Sequence, residues 1–317
     1  MKIGIIGGSG VYDLEGLKNV VRKKLKTPFG SPSDEYVCGK FGGVDVYFLP
    51  RHGKGHSILP SEINHRANIY GFKMLGVERI LSISAVGSLK QKLRPRDIVL
   101  PDQYFDRTKK SLEHTFFGKG IVAHLAFAEP TCAELRKLIG VSARKVIAND
   151  KTHKNLRVNE GGIYVSMEGP AFSTKAESHA YRQLDFDIIG MTSIGEAKLC
   201  REAEICYQAM AMVTDYDCWH ENEESVTLEM VIGNLVANTK LAKEILKELI
   251  KDADNRGATA LLTTEKDIMR LGKLAEIFPK EMRLVPVSLR TEIEDIESVL
   301  DWLEDQLTTA VENRPTR

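Results

Sequence analysis

No run in the 317 residues approaches the ~18 consecutive apolar residues that a membrane-crossing helix needs. Neither charge sign is in surplus, 44 Lys and Arg standing against 44 Asp and Glu. Without a basic surplus there is little to displace the counterions of a nucleic-acid backbone, so neither nucleic acid nor membrane is expected as a partner and a small molecule is. Cysteine is scarce: Cys38, Cys132, Cys200, Cys206 and Cys218 are widely spaced and form no C-x-x-C pair, which predicts reduced, partly buried thiols. Missing too are G-x-G-x-x-G and G-x-x-x-x-G-K-[ST], so the standard dinucleotide and nucleoside triphosphate loops are excluded. The N-terminus passes from Lys2 directly into strand-like residues, and a cytoplasmic location is expected.

The chain is instead rich in short apolar runs, with 43% hydrophobic residues and length enough for a sizeable core. Ile3–Ile6, Val46–Leu49, Arg79–Val86, Asp97–Leu100, Tyr164–Met167, Asp187–Ile189 and Ile205–Thr214 read as buried strands. Apolar residues recur at helical spacing over Glu62–Leu75, Lys175–Gln183, Ile194–Glu202 and Leu228–Ile250. Strands alternating with helices predict an α/β fold whose sheet is covered on both faces. Aperiodic polar stretches predict loops at Thr27–Asp34, Phe117–Gly120 and Asn149–Gly162. The composition changes at Lys251–Gly257, which divides the chain into a main domain, 1–250, and a C-terminal extension, 251–317.

Chemistry-bearing residues gather where predicted strands end. The first strand runs into Gly7-Gly8-Ser9-Gly10, whose backbone N–H groups and Ser9 hydroxyl suit an anion, although a tight turn explains the glycines equally well. Arg51-His52-Gly53-Lys54-Gly55-His56 follows another strand, at the carboxyl edge where open α/β sheets bind ligands. Arg51 can grip an oxyanion bidentately and His52 can add a charge-assisted donor; a solvated basic turn is the alternative. Ser84-Ala85-Val86-Gly87-Ser88 supplies small residues that let a ligand approach the backbone, or simply pack.

Three later segments add to the set. Glu168-Gly169-Pro170-Ala171-Phe172 places an aromatic after a strand, able to stack on a flat ring or to pack. Gly190-Met191-Thr192-Ser193 leads into a helix with Thr192 or Ser193 as N-cap. Asp215 and Asp217 close the last long strand two residues apart, which in extended geometry points both to one side. Such a pair suits hydrogen bonding and proton delivery to a heterocycle; a metal is disfavoured because no His or third carboxylate adjoins it.

Taken in order, GGSG, TPFGSPSD, RHGKGH, EINHRANIYGFKMLGV, SAVGSL, DQYFDRT, EGPAFST, GMTS and TDYDCW resemble the trimeric purine nucleoside phosphorylase family from about Lys2 to about Ile250. The resemblance implies the nucleoside phosphorylase fold, a distorted mixed sheet or barrel flanked by helices, in a homotrimer. It implies phosphorolysis of 5'-methylthioadenosine to adenine and 5-methylthioribose 1-phosphate, a purine and methionine salvage step, with inorganic phosphate as co-substrate and no metal or organic cofactor; a purine nucleoside phosphorylase of broader or different specificity, a methylthioadenosine hydrolase and a non-catalytic adenine-nucleoside sensor are the alternatives. Carried over by motif, phosphate is held by Ser9, Arg51, His52, Ser84, Ala85 and Thr192. The purine lies near Phe172, with Asp215 facing N7 and Asp217 the 6-amino group, and Met191 borders the ribose. His124 resembles a residue lent to the neighbouring subunit's 5' pocket, and Val226, Leu228 and Ile232 are candidates for its apolar wall or for ordinary helix core. On this reading the Asp215 carboxyl is raised by burial and by Asp217.

The tail departs from the family pattern. ATALLTTEKDIMRL, FPKEMRLVPVSL and a closing helix, Ile293–Leu307, resemble the C-terminal end of tetraacyldisaccharide 4'-kinase, although the kinase's phosphate loop is absent. The residues predict strand (Ala260–Thr263), helix (Lys266–Ile277), strand (Arg283–Val287), helix, a small α/β appendage too short to be stable by core burial alone.

Overall fold

The apolar runs become the middle strands of one forked sheet. The computed structural model describes residues 2–8, 16–220 and 228–255, with the backbone of two later strands. In chain order the elements are β1 (Lys2–Gly7), β2 (Lys18–Lys23), β3 (Tyr36–Phe41), β4 (Val44–Pro50), α1 (His65–Met74), β5 (Arg79–Ser88), β6 (Ile98–Leu100), β7 (Gln103–Asp106), α2 (Ala133–Asn149), β8 (Val158–Glu160), β9 (Ile163–Ser166), α3 (Lys175–Gln183), β10 (Ile188–Gly190), α4 (Ser193–Glu202), β11 (Cys206–Asp215) and α5 (Leu228–Asn255). They lie in one compact unit, Met1–Arg256. A second unit, Gly257–Arg317, holds β12 (Ala260–Thr264) and β13 (Arg283–Val287), paired in parallel. The two helices predicted in the tail lie outside the described residues.

Strand β5 is the hinge of the topology. Its first half pairs in parallel with β1, up to Ser82 opposite Ile6, and its end pairs antiparallel with β10, Gly87 opposite Ile189. Along the other edge β11 runs parallel to it from Cys206 to Asp215. One arm continues through β10, β9 and β7, the other through β11, β6 and β8, while β4, β3 and β2 extend beyond β1. Between Ser82 and Gly87 one edge of β5 has lost β1 and not yet gained β10, which leaves a notch in the sheet.

Both faces are covered, as the alternation of elements predicts. Leu135, Ile139 and Ala143 of α2 join Leu241, Ile245 and Leu249 of α5 against Ile5, Phe48 and Met210. Ile69 and Phe72 of α1 join Leu199 and Cys200 of α4 against Ile6, Leu49 and Tyr207 on the other side. Burial of such side chains stabilises the fold by roughly 1.5–3 kcal/mol each.

Several expectations need correction. The helix predicted from Glu62 begins at His65, because Asn64 accepts from the Ala67 N–H and Pro60–Glu62 forms a separate tight turn. The helix predicted to stop at Ile250 runs on to Asn255, since Lys251-Asp252-Ala253-Asp254-Asn255 contains no breaker. The loop predicted over Asn149–Gly162 contains β8, which borrows its order from β6. Edge strand β2 was invisible to periodicity because KNVVRK is exposed along its length and carries three cations, the usual protection of a free edge. The reduced-thiol expectation fails for two cysteines: Cys132 and Cys206 form a disulfide with Cα atoms 5.5 Å apart, while Cys38, Cys200 and Cys218 are free. Their sequence separation of 74 hid the pair, which forms because Cys132 N–H docks on the Tyr207 carbonyl at 2.8 Å.

Candidate active site

The notch at Ile83–Val86 adjoins Arg51 at one end and, through Gly87, the Asp215 and Asp217 pair at the other. Small side chains line it: Ser84 is buried beside the Tyr164 hydroxyl, and Ala85 is exposed although it sits in the central strand. Beside it, Gly7 ends β1 and its carbonyl accepts from the Arg51 N–H at 2.9 Å, so the residues after β1 and β4 leave the sheet together. Arg51 then turns inward and is only 2% exposed. Its Nη1 donates to the Ile83 carbonyl at 3.2 Å.

The bidentate grip predicted for an oxyanion is already used within the protein. Arg51 Nε donates to Glu196 Oε1 at 2.5 Å, and Nη2 donates to Glu196 Oε2 at 3.4 Å and to Ser82 Oγ at 2.7 Å. Burial pushes the Glu196 carboxyl upward, but the Arg51 charge and hydrogen bond outweigh it and hold the carboxyl below its ordinary value. One hydrogen on Nη1 remains for a ligand.

His52 also differs from its expected charge state. Its Nδ1 lies 2.9 Å from the Ile58 carbonyl, an obligate acceptor, so Nδ1 carries the hydrogen and Nε2 is the acceptor of the neutral ring. Burial, reinforced by the Arg51 charge, lowers its pKa to about 4. His52 is therefore a neutral acceptor at pH near 7, not a charged donor. His56 stacks on it with ring centroids 4.2 Å apart.

On the far side, β10 ends at Gly190 and hands over to Met191 and Thr192. Thr192 is the N-cap of α4 yet makes no capping bond; the Ile194 N–H donates instead to Ser166 Oγ at 3.3 Å, which leaves the buried Thr192 hydroxyl and the remaining first-turn N–H groups for another acceptor. Gly190 is obligatory in the packing sense, because a Cβ there would lie 1.9 Å from the Tyr164 hydroxyl. Met191 packs over Gly169, where a Cβ would fall 2.6 Å from its sulfur.

The two aspartates come together, but not by strand alternation. Asp217 has φ 52°, a left-handed residue, so the chain folds back after β11. The Asp217 N–H donates to Asp215 Oδ1 at 2.8 Å and the Thr214 hydroxyl to Asp215 Oδ2 at 2.7 Å. Both lie on Gly87, where a Cβ would be 3.1 Å from Asp215 Oδ1 and 3.3 Å from the Asp217 Cβ. Ser178 of α3 donates to Asp217 Oδ2 at 2.5 Å. Burial raises the Asp217 carboxyl, the Ser178 bond opposing and the Asp215 charge adding to it.

Phe172 is 82% exposed, so its ring is available and not packed. His124 is exposed on the loop that also exposes Ile121, Val122 and Leu125. Ser9 and Val226 lie outside the described residues, as do the side chains of Leu228 and Ile232 in the first turns of α5. The sequence reading missed Ser82, Ser178, Glu196 and Tyr207. Only Glu196 left a signal: a carboxylate on the apolar face of the Ile194–Glu202 pattern, where it is 1% exposed.

Anion-suited groups thus stand at one end of the notch and paired carboxylates at the other, in a sheet of α/β type. Residues 2–251 match the phosphorylase superfamily, and the chain belongs to that family. It is 51% identical over 252 residues to S-methyl-5'-thioadenosine phosphorylase of Geobacter sulfurreducens, covering 80% of this chain and 85% of the relative. It is 56% identical over 250 residues to the protein of the same name from Thermosynechococcus vestitus, covering 79% and 84%. Among solved structures, a methylthioadenosine phosphorylase from an Antarctic soil metagenomic library superposes with TM-score 0.74 at 48% identity, covering 78% of this chain and 85% of that one. The Schistosoma mansoni methylthioadenosine phosphorylase in complex with adenine gives 0.72 at 39%, covering 79% and 91%. The family match ends at residue 251, so the tail's resemblance to the end of a lipid A kinase gains no support from it.

Proposed function

We propose that the protein cleaves 5'-methylthioadenosine with inorganic phosphate, releasing adenine and 5-methylthioribose 1-phosphate. The observation that carries this reading is the position of the open edge of β5. It lies between Arg51, His52 and Thr192, suited to an anion, and Asp215 and Asp217, suited to a purine, an order that supports a sugar between them.

In this reading phosphate sits at Ser84, Ala85, the free Nη1 hydrogen of Arg51, Thr192 and Ser9, where α4 and the backbone N–H groups favour negative charge. Neutral His52 accepts the hydroxyl hydrogen of hydrogen phosphate at Nε2. A phosphate oxygen bonds to C1' as the C1'–N9 bond breaks, and the electron pair leaves with adenine. Overall one proton passes from hydrogen phosphate to adenine, and Asp215, facing N7, delivers it there. The cationic sugar of the transition state is stabilised by the anion beneath it and not by a protein nucleophile.

Asp217 accepts from the 6-amino group and Phe172 covers the purine. A 6-oxopurine would instead present an acceptor to Asp217, which disfavours it strongly. Met191 borders the ribose, and Val226, Leu228 and Ile232 supply apolar surface for the methylthio group. The exposed apolar loop around His124 fits a homotrimer in which His124 reaches the neighbouring subunit's 5' pocket. The working compartment is the cytoplasm, and the chemistry uses no metal or organic cofactor.

The test is adenine release from methylthioadenosine with and without phosphate, following the sugar phosphate. Release that depends strictly on phosphate is expected. Equal release in its absence would make the protein a hydrolase and overturn the reading.

A further inference from the structure

Arg51 is fully buried beside an equally buried carboxylate, and almost all its donors are spent on the protein. Glu196 takes Nε and Nη2 side-on, at 2.5 and 3.4 Å. Glu196 is itself fixed from two more directions: Ser82 Oγ donates to Oε2 at 2.6 Å and the Tyr207 hydroxyl to the same oxygen at 2.9 Å. These donors come from β5 and β11, while Glu196 lies in the first turn of α4, four residues after Thr192. The carboxylate thus locks three elements at the point where Arg51 enters the notch.

We infer that Glu196 is the positioning residue of the phosphate site. It holds the guanidinium plane so that Nη1 alone, steadied by the Ile83 carbonyl, is presented to the anion. It also couples that donor to the helix end at Thr192, so the two donors keep one spacing. A second consequence is electrostatic: the Arg51 and Glu196 charges cancel, and His52 is neutral. Phosphate is therefore selected by the placement of hydrogen bonds and by the α4 terminus, not by excess positive charge. Removing the carboxylate frees the Arg51 charge but lets its fork rotate, which costs orientation.

This inference rests on the phosphorylase reading above. Its test is two-substrate initial-rate kinetics on full-length Glu196→Gln, with Glu196→Asp as the conservative variant. In Glu196→Gln, kcat/KM for phosphate is expected to fall about tenfold or more, while KM for the nucleoside stays within about threefold. Glu196→Asp, which keeps the charge, should recover part of the phosphate term. Equal losses in both substrates, or no loss in either, would reduce Glu196 to a general stabiliser and overturn the inference. Should Glu196→Gln not fold, Ser82→Ala and Tyr207→Phe each remove one bond to Oε2. Each should raise KM for phosphate about threefold with the nucleoside KM unmoved, and unchanged phosphate KM in both overturns the inference. Phosphate-independent turnover by the unmodified protein would instead fail the function itself, before any variant is compared.

Discussion

Asp217 shows how one residue's backbone decides its chemistry. Its φ of 52° turns the chain so that its own N–H steadies Asp215 while its carboxylate meets Ser178. Burial raises its carboxyl, so the ionised acceptor needed by an amino group is lost, as the pH falls, earlier than for an exposed aspartate. On the proposed reading, the acid limb of kcat/KM for methylthioadenosine should accordingly lie higher than an exposed aspartate would set it. In Asp217→Asn that limb should vanish, with kcat/KM for the nucleoside about 10–100-fold lower and KM for phosphate little changed. A pH profile of both proteins decides it. The presence of the two aspartates was legible in TDYDCW, but their contact was not, because extended geometry predicted a shared side and the structure achieves proximity by a reversal.

At the scale of elements, the junction between β10 and α4 places Met191 and Thr192, and a single missing side chain permits it. A Cβ on Gly190 would collide with the hydroxyl of Tyr164, which is fully buried. Gly190→Ala is expected to destabilise the fold by about 1–3 kcal/mol, the range for overpacking a filled core. Adding Tyr164→Phe removes the nearest obstructing atom but leaves the ring carbon Cζ 2.7 Å from the new Cβ, so it should return only part of that loss. Urea melts of the two single variants and the double variant measure it, and a double variant no better than Gly190→Ala would refute the steric explanation. The strand–helix order here was readable from Asp187–Ile189 and Ile194–Glu202. The reason for the glycine was not, since Tyr164 stands 26 residues earlier in the chain.

For the whole molecule, buried neutral histidines set the response to acid. An unfolded histidine takes up its proton near pH 6.5. Burial lowers His65 to about 3 and His52 to about 4. Between those values the unfolded chain binds the extra protons, so stability is complete above about pH 6.5 and is lost as the pH falls through the window. His65 alone contributes a slope of up to ~1.4 kcal/mol per pH unit. Urea midpoints should step down from about pH 7 to 6 to 5. Level midpoints across that range would show that His65 is not held neutral.

Periodicity, turn residues and the order of short polar motifs were sufficient to determine an α/β fold, the positions of its buried strands and most of its helices, and the family. These features depend on neighbours within a few residues, and local sequence records them. Tertiary structure alone decided that β5 loses β1 before it gains β10, opening the notch, and that Arg51 spends its fork on Glu196, 145 residues away. It also decided that His52 is neutral and that Cys132 meets Cys206. Desolvation and the pairing of buried charges arise only when distant segments exclude water together. No single stretch of the chain carries that information.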